Sequence, residues 1–93
     1  MFQTFATRTH STFAHDAVIA RAIDAAMLRR RDDYNGQPMA WKIFCEASHV
    51  ATLADPARTA FIERVANERG ADAALRLKVK SEAIRAEAIA RLM

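Results

Sequence analysis

The sequence predicts an all-α fold, a small bundle of about four helices with an N-terminal arm. Three observations carry this. Only two glycines and two prolines interrupt 93 residues, so long stretches have no helix breaker and are rich in Ala, Arg, Glu and Leu, which are good helix formers. Apolar residues recur at spacings of three and four, the period of an amphipathic helix, and no segment alternates as a strand does. The breakers that exist fall between such segments, where they end one helix and start the next.

Residues 1–11 mix threonines, Arg8 and His10 with Phe2 and Phe5 and show no helical period. They read as an arm, and residues 12–93 as the single helical domain. The Arg and Ser/Thr content of the arm also resembles an organellar presequence, against which Asp16 and Asp24 argue. The first helix is expected from about Phe13 to Arg31, with Ser11 or Thr12 as N-cap. Its apolar stripe is Phe13, Ala17, Ala20, Ile23 and Met27, with Val18, Ile19 and Ala26 beside it. The segment from Asp32 to Pro38, with Asn35-Gly36 at its centre, is the clearest turn.

The second helix is expected from about Met39 to Leu53, burying Met39, Ile43, Ala47 and Val50 with Ala40, Phe44 and Ala51. Asp55-Pro56 starts the third, Asp55 as cap and Pro56 at the first helical position, where its missing N–H is no loss. It runs to Arg69, and Gly70 provides the left-handed residue that ends it. The fourth helix, about Asp72 to Leu92, carries the stripe Leu75, Val79, Ala83, Ala86 and Ala90, with Leu77, Ile84 and Ile89 to the side. Small side chains permit close helix approach, so this stripe either closes the chain's own core or is a self-association seam.

Much of the apolar content is alanine, so the core is thin for one domain of this length. The net charge of +3 is unevenly placed. Five arginines against Asp16 and Asp24 make residues 1–31 positive, residues 32–70 are mildly acidic, and residues 71–93 are positive again. Charges interrupt every apolar segment well short of the ~20 residues that span a bilayer. The lone Cys45 has no internal disulfide partner. These features predict a protein of a reducing, cytoplasmic setting with no membrane association.

No enzyme is expected. There is no glycine-rich phosphate loop and no serine elbow. Cys45 and His49, four apart on one helix, are half of a zinc site or thiolate pair, and no further ligands at metal spacing complete them. Cys45 is expected to be a small buried hydrophobe, and no cofactor or metal is called for. Two basic groups remain. Arg29, Arg30 and Arg31 end the first helix, where cations suit the dipole or meet phosphates. Arg76, Lys80 and Arg85 flank the alanine stripe and, with Ala83 and Ala86, form the expected partner-binding surface, next to Leu92 and Met93.

Trp41-Lys42-Ile43-Phe44-Cys45-Glu46-Ala47, Leu53-Ala54-Asp55-Pro56-Ala57-Arg58, Phe61-Ile62-Glu63-Arg64-Val65 and Arg69-Gly70-Ala71-Asp72-Ala73-Ala74-Leu75 together resemble a family of short phage and prophage helical proteins of no assigned activity. The likeness spans residues 38–84 and leaves out the arm and first helix. In this chain the proline follows Asp55 and not the leucine, a departure from the family pattern. The resemblance implies a bacteriophage or mobile-element origin in a bacterium, and so the cytoplasm of a bacterial host cell. Trp41 and Phe61 read as core anchors. The expected function is protein–protein binding by a small accessory protein, an inhibitor of a host or defence complex by analogy with anti-CRISPR proteins, with a homodimer as one form of the contact. The alternative is a nucleic-acid-associated regulator that uses the basic ends.

Overall fold

In a computed structural model, which describes the backbone of residues 2–93 and the side chains of residues 15–93, the chain is an all-α bundle. The order is α1 (Phe2–Arg29), a 3-10 turn (Arg31–Tyr34), α2 (Pro38–Thr52), α3 (Asp55–Arg69) and α4 (Ala71–Leu92). Helix α4 packs against each of the other three, while α2 and α3 touch little.

The breakers act nearly where expected. Pro38 sits in the first turn of α2, and Gly36 takes φ +78° in the turn before it. Asp55 is not the cap of α3. Ala54 occupies that position, and Asp55 is the first helical residue, its carboxylate held by Arg58. Gly70 alone joins α3 to α4, at φ +95° and ψ 161°. This is not the left-handed helical well but an extended region at positive φ that only glycine occupies readily. Its N–H donates to the Ala66 carbonyl and its own carbonyl accepts from the Ala74 N–H, so this one residue serves both helix ends.

The main departure at the N-terminal end is the start of α1. Its helical backbone begins at Phe2 and not near Phe13, running through the stretch read as an arm and past the expected caps Ser11 and Thr12. No glycine or proline lies in that stretch, and threonine is only a mild helix opponent. The side chains there, Phe2, Phe5 and Phe13 included, lie outside the described residues. At its other end α1 stops at Arg29, two residues early, and the chain tightens into the 3-10 turn.

The interior has two parts that share Ile84. Ala47, Val50, Val65, Ala74 and Leu77 form one, with Phe61, Ile62 and Ala66 packed on it, between α2, α3 and α4. Ile19, Ile23, Ala51 and Ala88 form the other, with Ala22 and Ile89, between α1, α2 and α4. The expected stripes hold in part on α1 and α2, where Ile23, Phe44, Ala47, Val50 and Ala51 are buried, and fail on α4. On α1, Ala17 faces solvent while Ile19 and Ile23 are buried. On α2, Met39 and Ile43 are exposed while Phe44 beside them is buried against the aromatic side of the helix, and Ser48 takes a core position. On α4 the buried line is Ala74, Leu77, Ser81 and Ala88, so the stripe Leu75, Val79, Ala83, Ala86 and Ala90 does not close the core. At about 100° per residue the two lines lie on nearly opposite sides of the helix.

Candidate protein-interaction face

The outer side of α4 is an aliphatic surface in water. Leu75 and Val79 are each 59% exposed and lie one helical turn apart. Ala83, Ala86 and Ala90 continue the line, all exposed, and Met93 beyond the helix is 96% exposed. Side chains at these spacings share one face of the helix. The opposite side of α4 supplies the core, and among the described residues none packs over this one.

Of the residues expected to form the partner surface, Ala83, Ala86, Arg76 and Lys80 stand together on this side. Arg76 folds back on its own helix, donating from Nε to the Asp72 carbonyl at 3.4 Å. Glu87 continues the flank of Arg76 and Lys80 and pairs with Arg91 at 3.2 Å. Charges of both signs therefore border the apolar line, which suits the rim of a protein contact.

Arg85 does not belong to that surface. Its side chain is only 14% exposed and turns inward. Nη1 donates to the Ala51 carbonyl at 2.9 Å and the Leu53 carbonyl at 3.4 Å, and Nη2 to Asp16 Oδ1 at 3.0 Å. The last carbonyls of a helix have no partner within it, and Arg85 satisfies them at the end of α2 while tying α1 to α4 through Asp16. An arginine flanked by Ile84 and Ile89, on the same side as Ser81 and Ala88, carries that signal in the sequence, since a charge among buried positions must be paired.

The three arginines at the end of α1 diverge. Arg29 and Arg30 border a groove between α1, α2 and α4, whereas Arg31 faces the turn that leads to Trp41. The Arg30 guanidinium lies 5.4 Å from the centre of the Phe44 ring and 3.9 Å from Asp33. Phe44 in turn stacks on Tyr34 at 5.2 Å and meets Trp41 at 5.8 Å, an aromatic cluster that fixes the 3-10 turn against α2. With Asp32 and Asp33 adjoining, these arginines do not present one continuous basic surface.

Cys45 is half-buried, and the exposed His49 sets its ring 5.8 Å from that of Phe61, edge to face. Phe61 also carries Arg64 over its ring at 5.5 Å. No cluster of three or more metal-ligating side chains occurs among the described residues. No described helix is long and apolar enough to cross a membrane. Arg69 makes a two-pronged contact with Glu46, at 2.8 and 3.2 Å. That hydrogen bond raises the guanidinium above its ordinary pKa and joins the end of α3 to α2.

No curated protein and no solved structure matches the chain. A family model described as a family of unknown function matches residues 34–88, from the aromatic turn to the buried end of α4. It contains the whole span of the resemblance read from the sequence and, like it, leaves out α1. Because the match covers more than half of the length, the chain belongs to this family of unknown function, DUF7696.

Proposed function

We propose that this chain is a non-enzymatic protein-binding module that works through the outer face of α4, and that the occupant of this face is the same helix of a second copy. The observation that carries the reading is the alignment of exposed Leu75 and Val79 with Ala83, Ala86 and Ala90 on a helix whose core-facing side is already filled. Covering such a surface gains about 25 cal/mol for each Å² of apolar area removed from water. Alanines at the centre let two backbones approach closely. An antiparallel pairing centred near Ala83 sets Lys80 beside Glu87 of the partner subunit, twice by symmetry. The flanks carry both signs, so a self-complementary partner suits them better than a strongly charged one.

Light scattering on the parent and on Ala83→Glu and Ala86→Glu tests this. The expected result is a dimer for the parent at tens of micromolar and folded monomers for both variants, since neither position touches the core. A parent that stays monomeric, a dimer indifferent to both changes, or variants that lose their helical circular dichroism would each overturn it.

The prophage resemblance gives the reading a more specific form, in which the same face occupies the surface of a host or defence complex. Pull-down from a bacterial host with the parent and Ala86→Glu tests that form. A host complex identified with the parent and lost with the variant supports it. Recovery of nucleic acid instead, weakening steeply as salt rises, is the outcome of the phosphate-binding alternative.

A further inference from the structure

A groove of about 410 Å³ opens between α1, α2 and α4, on the side of the molecule away from the α3 packing. Its α1 wall is mostly alanine, Ala22, Ala25 and Ala26 with Ile23, and Phe44 and Ile84 line it from α2 and α4. Its volume lies within the range of ordinary ligand pockets, which are mostly apolar with a few convergent polar groups. Here those groups are Ser48 among the lining residues and Arg29, Arg30 and Arg91 with Glu87 towards solvent.

Ser48 is 1% exposed, and its Oγ finds no hydrogen-bond partner among the described residues. The hydroxyls of Ser81 and Thr52, also within helices, donate to carbonyls three residues back, Ser81 to Lys78 at 3.0 Å and Thr52 to His49 at 2.6 Å. Ser48 makes no such bond although it sits in the same kind of backbone. A buried hydroxyl without a partner is costly unless something else provides one.

We infer that this groove binds a small amphipathic monocarboxylate with a flat apolar body and a hydroxyl or carbonyl at the end remote from its carboxylate. The carboxylate meets the guanidinium groups of Arg29 and Arg30, the geometry those groups favour. The body lies between the alanines of α1 and Phe44, and the remote polar atom hydrogen-bonds Ser48 Oγ. Arg91 pairs with Glu87 and Arg30 lies 3.9 Å from Asp33, which leaves Arg29 to make the mouth of the groove net positive and to disfavour a cation of the same shape. The site uses no residue of the aliphatic line on α4.

Titration calorimetry on the full chain tests this with 3-(4-hydroxyphenyl)propionate as probe, 3-phenylpropionate as the analogue without the hydroxyl, and tyramine as the cation. The hydroxylated acid is expected to bind about tenfold more tightly than the unsubstituted one, the worth of one hydrogen bond. Ser48→Ala should abolish that ratio while leaving the unsubstituted acid unchanged. Arg30→Gln should weaken both acids severalfold, Ala26→Leu should block both with helicity intact, and Ala83→Glu should change neither. Absence of binding by either acid at millimolar concentration, equal binding of tyramine, or a ratio that survives Ser48→Ala would overturn the assignment.

Discussion

The two halves of the interior are filled differently. On the side of α3, Val50, Val65, Ala74 and Leu77 meet directly, with Phe61 and Ile62 packed over them, and the hydroxyl at the α4 position Ser81 is satisfied. On the side of α1, Ile19 and Ile23 are as deeply buried, but a groove runs beside them and the Ser48 hydroxyl has no partner among the described residues. The difference teaches that burial and packing are separate properties. A residue can be out of reach of water and still lack neighbours on one side, and dispersion contacts are lost wherever that happens. The α3 side is built for cohesion, and the α1 side holds space and leans on polar anchors.

The sharpest way to break this comparison is to cut each core by the same chemistry. Leu77→Ala should destabilise by about 3 kcal/mol in urea denaturation, whereas Ile23→Ala, whose neighbourhood already contains open space, should cost about 2 kcal/mol. Equal losses would mean that the groove side is packed as well as the other. Next in size is the anchor. Arg85→Met removes the donor to the Ala51 and Leu53 carbonyls and leaves Asp16 unpaired, and should cost about 2 kcal/mol. Hydrogen exchange should then show α1 opening ahead of α3 and α4, and a uniform loss of protection would contradict the division. The smallest effect has the opposite sign. Ser48→Ala deletes a buried hydroxyl with no partner among the described residues and should leave stability unchanged or raise it by up to about 1 kcal/mol. A clear loss would show that the hydroxyl has a partner inside the fold.

Element boundaries from the end of α1 onward were legible because they rest on local chemistry, whereas the start of α1, expected near Phe13 and found at Phe2, has no breaker to mark it. Pro38, Asp55-Pro56 and Gly70 restrict the backbone wherever they stand, and each marks a helix end within a residue or two. Facing was less legible, because it depends on what the helix meets. On α4 both sides are rich in alanine, so the apolar period gave two nearly opposite answers. The line with the larger exposed residues, Leu75 and Val79, reads as the stronger one although Ala74, Leu77, Ser81 and Ala88 are buried. Ser48 and Ser81 broke the buried patterns by being polar. Arg76, Lys80, Ala83 and Ala86 were placed on one surface by spacing alone. Arg85 was not separable from them until the carbonyls at the end of α2 and Asp16 could be seen around it. The groove needs three helices to exist, and no local pattern announces it.

The single-residue link at Gly70 also bears on the entropy of chain closure. It places α3 and α4 next to each other along the chain, so their pairing closes almost no loop. The Asp16 to Arg85 contact, by contrast, joins residues 69 apart in sequence. Chain closure becomes slower and entropically costlier as the separation grows. The α3–α4 pairing is therefore the closure with the smallest chain-entropy cost, and the Asp16 to Arg85 contact between α1 and α4 carries the largest. The groove, walled by α1, α2 and α4, depends on that long-range closure, whereas the α3–α4 pair does not.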